Sequence, residues 1–264
     1  MSTSLRLAIL AAAFSAAAAS NAFAQDADGH WDWKVKVGGG AMLAPDYQGS
    51  DDYEFKPIPD IEINYRDALV LKNTALSYDA MRAISPGSNW KAGPRARYVF
   101  GRDQDDNAAL RGLGDVDPSV EVGGFVGYGV GAWSGELSVM QDVADGHDGL
   151  IAEVSGGYGF RFTPRLGARV SAGVTYADDS YMQSYFGVTP SQAARSGYAA
   201  QDADAGFKDA GLTLGLTYGL TENWALGGFL GYTRLLGDAA DSQIVDREGS
   251  ANQIRTGLTL SYTF

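Results

Sequence analysis

The sequence predicts an all-β protein, a transmembrane antiparallel β-barrel of about twelve strands, with ten strands as the alternative. Three observations support this prediction: alternating strands long enough to cross a bilayer, a chain that ends on an aromatic strand residue, and an N-terminal segment typical of exported proteins. Beyond that segment no run is apolar enough for a transmembrane helix. A membrane location then requires a closed barrel, because hydrocarbon offers no partner to an open sheet edge.

The last strand has one apolar face and one small, polar face. Outer-membrane barrels end on such a strand and place aromatic rings at the lipid–water boundary. We expect the apolar face to contact lipid, and it resembles the C-terminal signal that the barrel-assembly machinery recognises. Its residues are Leu258, Leu260, Tyr262 and Phe264.

The first 24 residues have the pattern of a cleaved signal peptide. Arg6 is their only charge, an apolar run follows over 7–19, and Ala22 and Ala24 form a small-x-small cleavage site. The run is too short for a membrane anchor, since a spanning helix needs roughly 20 residues. We therefore expect residues 25–264 to form the barrel domain.

Composition narrows the possible partners. The chain has 32 acidic and 20 basic residues and a net charge of −12, which disfavours nucleic-acid binding. It has no cysteine, so disulfides and thiolate metal sites are excluded. The 35 glycines and 14 tyrosines suit a barrel with a small-residue interior and interfacial aromatic rings, although composition alone also allows a soluble β-sandwich.

Alternation of residue types separates these two folds. Between Leu212 and Leu220, large apolar residues alternate with Thr and Gly, and the stretch from Leu166 to Tyr176 has the same period of two. Such strands run for about 9 to 13 residues, whereas soluble strands average about five or six. Aromatic residues lie near strand ends on the apolar face, as they do in the interfacial girdles of membrane barrels.

Strand positions follow from this pattern. Eight strands are predicted near 89–101, 118–130, 133–143, 149–162, 165–177, 209–221, 223–236 and 252–264. Upstream, strands are predicted at 33–43 and 56–65, followed by a pair at 68–72 and 75–82 that has one kinked strand as its alternative. The pair gives twelve strands and the single strand gives eleven, so the even number typical of bacterial barrels favours twelve.

The connections alternate in length. Short turns near 131–132, 163–164 and 221–223 alternate with long polar connections at 101–117, 143–149, 177–209 and 237–251. Outer-membrane barrels have short periplasmic turns and long outer loops. In the longest loop, Thr189 as N-cap, Pro190 at the first helical position and Gln192 three residues after the cap predict a short helix ending at Gly197. This helix is either a lid over the barrel mouth or part of a surface loop.

Four charged residues are predicted to face the lumen. Such charges set ion selectivity or pair across the barrel and close it. A twelve-stranded barrel is narrower than a 16-stranded porin, so closure by pairing is a reasonable alternative to conduction. The four residues are Glu121, Glu153, Arg161 and Arg169.

Acidic residues cluster in the loops. Oxygen ligands of this kind hold Ca²⁺ and Mg²⁺, and bound cations would bridge to lipopolysaccharide phosphates. The spacing matches no calcium-binding loop, so we expect solvated charge and no metal or cofactor site. The clustered residues are Asp51 and Asp52; Asp103, Asp105 and Asp106; Asp115 and Asp117; Asp178 and Asp179; and Asp202 and Asp204.

Catalysis has little support in the sequence. A Ser-His-Asp site requires a histidine, and the chain has two, His30 and His147. His147 lies between Asp145 and Asp148, but no serine motif marks a nucleophile. We therefore predict no catalytic residue.

Several motifs resemble one known family. They are Pro45-Asp46-Tyr47-Gln48-Gly49-Ser50, Pro57-Ile58-Pro59, Gly101-Arg102-Asp103, Leu110-Arg111-Gly112-Leu113-Gly114-Asp115-Val116, Tyr181-Met182-Gln183-Ser184-Tyr185-Phe186-Gly187-Val188-Thr189 and Gly237-Asp238-Ala239-Ala240-Asp241-Ser242. In this order they are similar to the MipA/OmpV family.

The resemblance implies an outer-membrane barrel in contact with lipid and lipopolysaccharide. It also implies a scaffold that links a lytic transglycosylase to a peptidoglycan synthase, and it implies no catalytic residue. A small-solute channel and a surface adhesin are the alternative functions.

Overall fold

A computed structural model describes residues 32–264 and shows a closed antiparallel β-barrel of twelve strands. Each strand pairs with the next along the chain, and β1 closes the barrel by pairing with β12 over Lys36–Leu43 and Thr256–Thr263. The prediction of a twelve-stranded barrel is confirmed. The predicted signal peptide and His30 lie outside the described residues.

The strands span most of the described chain. They are β1 (Trp33–Pro45), β2 (Tyr53–Tyr65), β3 (Leu69–Lys72), β4 (Ala75–Tyr78), β5 (Trp90–Val99), β6 (Ser119–Val130), β7 (Trp133–Asp142), β8 (Leu150–Arg161), β9 (Leu166–Ala177), β10 (Gly206–Gly219), β11 (Trp224–Leu235) and β12 (Asn252–Thr263). Among the described residues, five short α-helices and one 3-10 helix (Ala108–Leu110) lie in the connections. The α-helices are α1 (Ala80–Ile84), α2 (Asp179–Phe186), α3 (Pro190–Ser196), α4 (Gly237–Ala240) and α5 (Gln243–Glu248). No helix in this part of the chain is both long and apolar enough to span a bilayer.

The strand predicted at 75–82 is wrong in its second half. β4 ends at Tyr78, and Asp79 then caps α1 by accepting a hydrogen bond from the Met81 amide at 3.1 Å. The same carboxylate accepts from the Ala92 amide at 3.2 Å, which holds the helix against β5. An aspartate at an N-cap favours a helix over a continued strand. Its carboxylate accepts hydrogen bonds from amides that would otherwise pair with a neighbouring strand.

Large apolar side chains cover the outside of the barrel, and small or polar ones face its interior. At the end with short turns, which outer-membrane barrels direct to the periplasm, tryptophans pair with tyrosines of the adjacent strand. We call these pairs the periplasmic aromatic rim: Trp33–Tyr65, Trp90–Tyr128, Trp133–Tyr158 and Trp224–Tyr262, with ring centroids 4.5, 4.8, 4.7 and 5.2 Å apart. Such rings fit a lipid–water interface.

Phe125 interrupts the alternation of β6. Its ring faces the lumen, where it is buried beneath the guanidinium of Arg95 at 4.4 Å from the ring centroid. This cation–π contact explains an aromatic residue on the small, polar face.

Candidate functional site: a plugged lumen

The long loops fold together over the outer end of the barrel. We call this assembly the plug; it consists of residues 46–52, 100–118, 143–149, 178–205 and 236–251. Two buried clusters hold it together. One is formed mainly by Tyr181, Met182, Tyr185, Phe186, Ala239 and Val245, and the other by Tyr47, Leu110, Leu113, Val188, Tyr198 and Ile244. The polar connections predicted from the sequence therefore contain an apolar core.

Helix α2, at the centre of the plug, is bonded to other loops at its C-terminal end. Arg102 donates to the carbonyl oxygens of Tyr185 at 2.7 Å and Ser184 at 3.3 Å. The Ser242 hydroxyl donates to the Phe186 carbonyl at 2.6 Å. These bonds satisfy helix carbonyls that have no partner within the helix, and they join three loops. Burial lowers the pKa of Arg102 and raises the pKa of the Tyr185 phenol.

Helix α3 carries the capping residues singled out in the sequence. The Thr189 side chain accepts from the Gln192 amide, the Gln192 side chain accepts from the Thr189 amide at 2.8 Å, and Pro190 begins the helix. Gln192 also donates to the Leu113 carbonyl oxygen, so α3 is attached to a second loop of the plug. Gly197 ends the helix with a positive φ of 81°.

Beneath the plug, a buried ion-pair network centres on Glu121, which is 1% exposed. Arg97 donates from Nε to Glu121 Oε2 at 2.7 Å, and its Nη1 bonds to Glu153 Oε1 at 3.3 Å. Two of the four predicted lumen residues, Glu121 and Glu153, are thus joined by a residue that the sequence analysis did not select. Arg95 and Arg97 alternate with the outward residues of β5, and this pattern would have indicated that both arginines face the lumen.

His147 completes this network from the 143–149 loop. Its Nε2 lies 3.1 Å from Glu121 Oε1, while its Nδ1 accepts the Gly149 amide at 3.1 Å. These partners correspond to a neutral ring protonated on Nε2. The Ser184 hydroxyl donates to the His147 backbone carbonyl at 3.3 Å. The Nε2 contact therefore joins the loop to the lumen, and the Nδ1 contact orients the ring within the loop. The Ser184 hydroxyl contacts the His147 backbone and not its ring.

The other two predicted lumen residues lie apart from the network. Arg169 projects across Gly157, where an added β-carbon would lie 2.6 Å from its Nη2. It donates to the Ser134 hydroxyl, and its buried Nε has no hydrogen-bond partner among the residues that the structure describes. Arg161 is exposed at the periplasmic end of β8. The glycines of the lumen face therefore provide room for long side chains from neighbouring strands.

A cavity of about 610 Å³ occupies the lumen below the plug. Tyr181 and Tyr185 line its upper end, and Gly131 and Ala132, in the turn between β6 and β7, line its periplasmic end. Arg255, which the sequence analysis missed, also lines it and donates to the Thr233 hydroxyl at 3.3 Å. The cavity therefore extends from the plug to the periplasmic end.

Several of the clustered loop carboxylates accept hydrogen bonds from backbone amides. Asp103 accepts from the Asp105 amide at 2.9 Å, Asp115 from the Gln104 amide at 2.9 Å, and Asp178 from the Tyr181 amide at 3.0 Å. Within residues 32–264, no group of three or more His, Asp or Glu side chains is arranged to hold a metal ion. These carboxylates therefore cap turns and helices.

Comparison with known proteins identifies the family. A family model described as MltA-interacting protein MipA matches residues 37–264. The putative outer membrane protein YiaT of Escherichia coli K12 is 26% identical over 227 residues, covering 82% of this chain and 87% of the relative. The MltA-interacting protein of the same strain is 24% identical over 245 residues, covering 88% and 92%.

Among solved structures, an outer membrane channel from Pseudomonas putida F1 has a TM-score of 0.47 at 12% identity, covering 93% of this chain and 98% of the channel. The family match spans nearly the whole described chain and agrees with the outer-membrane barrel architecture. The chain therefore belongs to the MltA-interacting protein MipA family of outer-membrane β-barrel proteins.

Proposed function

We propose that this barrel is a structural protein whose periplasmic end binds a murein-cleaving lytic transglycosylase. A peptidoglycan synthase is the second partner that the family resemblance implies. The observation that carries the proposal is the plug, which closes the outer end of the lumen and leaves the periplasmic end accessible. The family description names an interaction with MltA, and the relative of that name aligns over most of its length.

The plug disfavours a permanently open pore. Its clusters bury more than ten large apolar side chains, and each is worth about 1.5–3 kcal/mol relative to exposure. The lumen below is further closed by the Arg97–Glu121 pair and by an Arg95–Glu136 pair at 2.7 Å. Spontaneous opening of such a path would be rare.

The periplasmic end offers a surface suited to a protein partner. Arg165 and Glu222 lie exposed in neighbouring turns, beside the periplasmic aromatic rim. Aromatic and arginine side chains are enriched where proteins bind one another. Charged residues at the edge of such a surface control orientation and association rate.

Binding can be tested with the purified barrel in detergent and a lytic transglycosylase of the MltA type. A double charge reversal in the periplasmic turns, Arg165→Glu with Glu222→Arg, should weaken binding at least tenfold. The matched control reverses two exposed charges in the plug, Arg111→Glu with Glu248→Arg, and should bind as the native barrel does. No binding by the native barrel, or equal loss in both variants, would contradict the proposal.

A small-solute channel is the competing function, and one observation favours it. Arg169 and Arg255 face the cavity bonded to hydroxyl groups and, within residues 32–264, to no carboxylate. Unpaired cations of this kind favour anions in a conducting lumen. Stable single-channel current through the native barrel, with conductance altered by Arg169→Ala, would support the channel; absent current would exclude it.

A further inference from the structure

The barrel wall has an opening between β2 and β5 in its outer half. β3 pairs with β2 only over Glu62–Tyr65, and the last contact is made by Asn73. Its backbone amide donates to the Ile61 carbonyl at 2.8 Å, and its side-chain oxygen accepts from the Ile61 amide at 3.0 Å. β2 continues from Asp60 to Tyr53 with no strand on that side within residues 32–264.

The opposite side of the opening is the end of β5. β4 pairs with β5 over Arg95–Arg97, and the Tyr98 amide donates to the Thr74 carbonyl at 3.1 Å. Beyond this level β2 and β5 are separated by the width of two absent strands. Strands in a sheet lie about 4.8 Å apart, so three strand spacings, roughly 14 Å, separate β2 from β5 at the level where β3 and β4 end.

A loop of the plug closes the opening at its outer end. Asn107 donates to Asp46 at 2.6 Å and to Asp52 at 3.1 Å, which joins the loop after β5 to the loop before β2. The opening therefore has a boundary on every side, and we call it the window. It is bounded by Tyr53–Asp60, Asn73–Thr74, Tyr98–Phe100 and Asn107.

Two prolines lie on the open edge of β2. Because Ile61 directs its amide and carbonyl toward β3, the alternate residues Pro59 and Pro57 are oriented to the same side. Proline has no N–H group, so at these two positions the open edge presents no backbone donor that hydrocarbon would leave unpaired. Proline also blocks the addition of a further strand. The Pro57-Ile58-Pro59 motif thus stabilises an edge that stays open.

The surroundings of the window indicate what passes through it. Phe55, 79% exposed, and Tyr98 flank it on the outer surface, and Arg97, Val99 and Phe100 line the cavity behind it. Carbonyl groups on an open edge are tolerated at membrane depth where they line a water-filled cavity. On its β5 side the window therefore lies between the lumen cavity, which Val99 and Phe100 line, and the hydrocarbon of the outer leaflet.

We propose that the window admits the acyl chain of an outer-leaflet lipid into the lumen beneath the plug. Hydrocarbon is the medium that contacts the wall at this height, and the prolines disfavour a peptide strand. The cavity of about 610 Å³ lies within the range of small-molecule pockets, about 300–1,000 Å³. This role is independent of partner binding at the periplasmic end.

The proposal can be tested with single cysteines, since the native chain has none. A bimane label at Val99→Cys, reconstituted in phosphatidylcholine vesicles, should be quenched by nitroxide-labelled acyl chains nearly as strongly as a label at the lipid-facing Leu214→Cys. Ser171→Cys lines the same cavity from β9 and is the matched control; its label should be quenched several-fold less. Quenching at Val99 as weak as that expected at Ser171 would overturn the proposal.

A second measurement needs no substitution and avoids folding defects. The native barrel is irradiated in vesicles that contain phosphatidylcholine with a photoactivatable diazirine in its acyl chain, and the adducts are located by mass spectrometry. Adducts on Val99 or Phe100, besides those on outward residues such as Leu214, are expected. Adducts confined to outward residues would refute the window as a route for acyl chains.

Discussion

Replacing Glu121 by alanine should destabilise the barrel more than any comparable change at the lumen surface. Glu121 is 1% exposed, accepts from Arg97 at 2.7 Å and lies 3.1 Å from His147 Nε2. Removing one partner of a buried ion pair leaves an uncompensated charge and costs about 3–5 kcal/mol. We expect a loss of that size in the free energy of unfolding.

Glu153→Ala is the matched control within the same network. The Glu153 side chain is 28% exposed and lies 3.3 Å from Arg97, so solvent screens this pair and replaces it when it is lost. Pairs of this exposure contribute about 0–1 kcal/mol. Combining Glu121→Ala with Arg97→Met should cost less than the sum of the two single changes, because no charge of that pair is then left alone.

The assay is urea unfolding of the barrel in lipid vesicles, followed by the difference in gel mobility between heated and unheated samples. Folding and unfolding titrations must coincide for the free energies to be compared. Equal losses for Glu121→Ala and Glu153→Ala, or a loss below about 1 kcal/mol for Glu121→Ala, would refute the assignment of a buried, energetically important pair.

Three further predictions concern the plug and the C-terminus. Arg102→Met removes the bonds to Tyr185 and Ser184, each worth about 1.5–3 kcal/mol for a charged donor, so brief currents absent from the native barrel should appear in planar bilayers. Burial raises the pKa of the phenols of Tyr181 and Tyr185. Above about pH 10 the unfolded plug therefore loses protons that the folded plug retains, and the stability of the plug should fall. Protease cleavage of the outer loops should then increase. Deleting Phe264, which is 76% exposed beside Tyr262, should impair assembly, and normal outer-membrane levels with normal heat-modifiable migration would contradict this.

Much of the barrel could be predicted because strand periodicity is a local property. Alternation from Leu212 to Leu220 indicates a strand and its two faces without reference to any partner. The even number of strands then decided between one and two crossings near residue 70. The helix cap at Thr189 could likewise be predicted from the sequence, because its hydrogen bonds join residues three positions apart.

A lid over the barrel mouth was one of two alternatives for the helix that follows Thr189, but the assembly of five loops was not predicted because its contacts join distant parts of the chain. Asn107 bonds to Asp46, and Tyr198 donates to the Ala109 carbonyl at 3.0 Å. No local sequence pattern indicates such partners. The loops are polar in overall composition, so the few apolar residues that become buried in the plug do not stand out in the sequence. Helix α2 was missed for the same reason, since its buried face is defined by loops that meet it only after closure.

The sequence by itself determined the membrane-type barrel, its twelve strands and the direction of its faces. The period of two assigns the side chains of each strand to two faces, and hydrocarbon requires the strands to pair into a closed barrel. Tertiary structure alone decided that Arg97 joins Glu121 to Glu153, that the outer loops close the lumen, and that Pro57 and Pro59 face an opening. These features depend on which strands end early and on the register between strands. Register and loop contact are set when the barrel closes, so they are properties of the whole molecule.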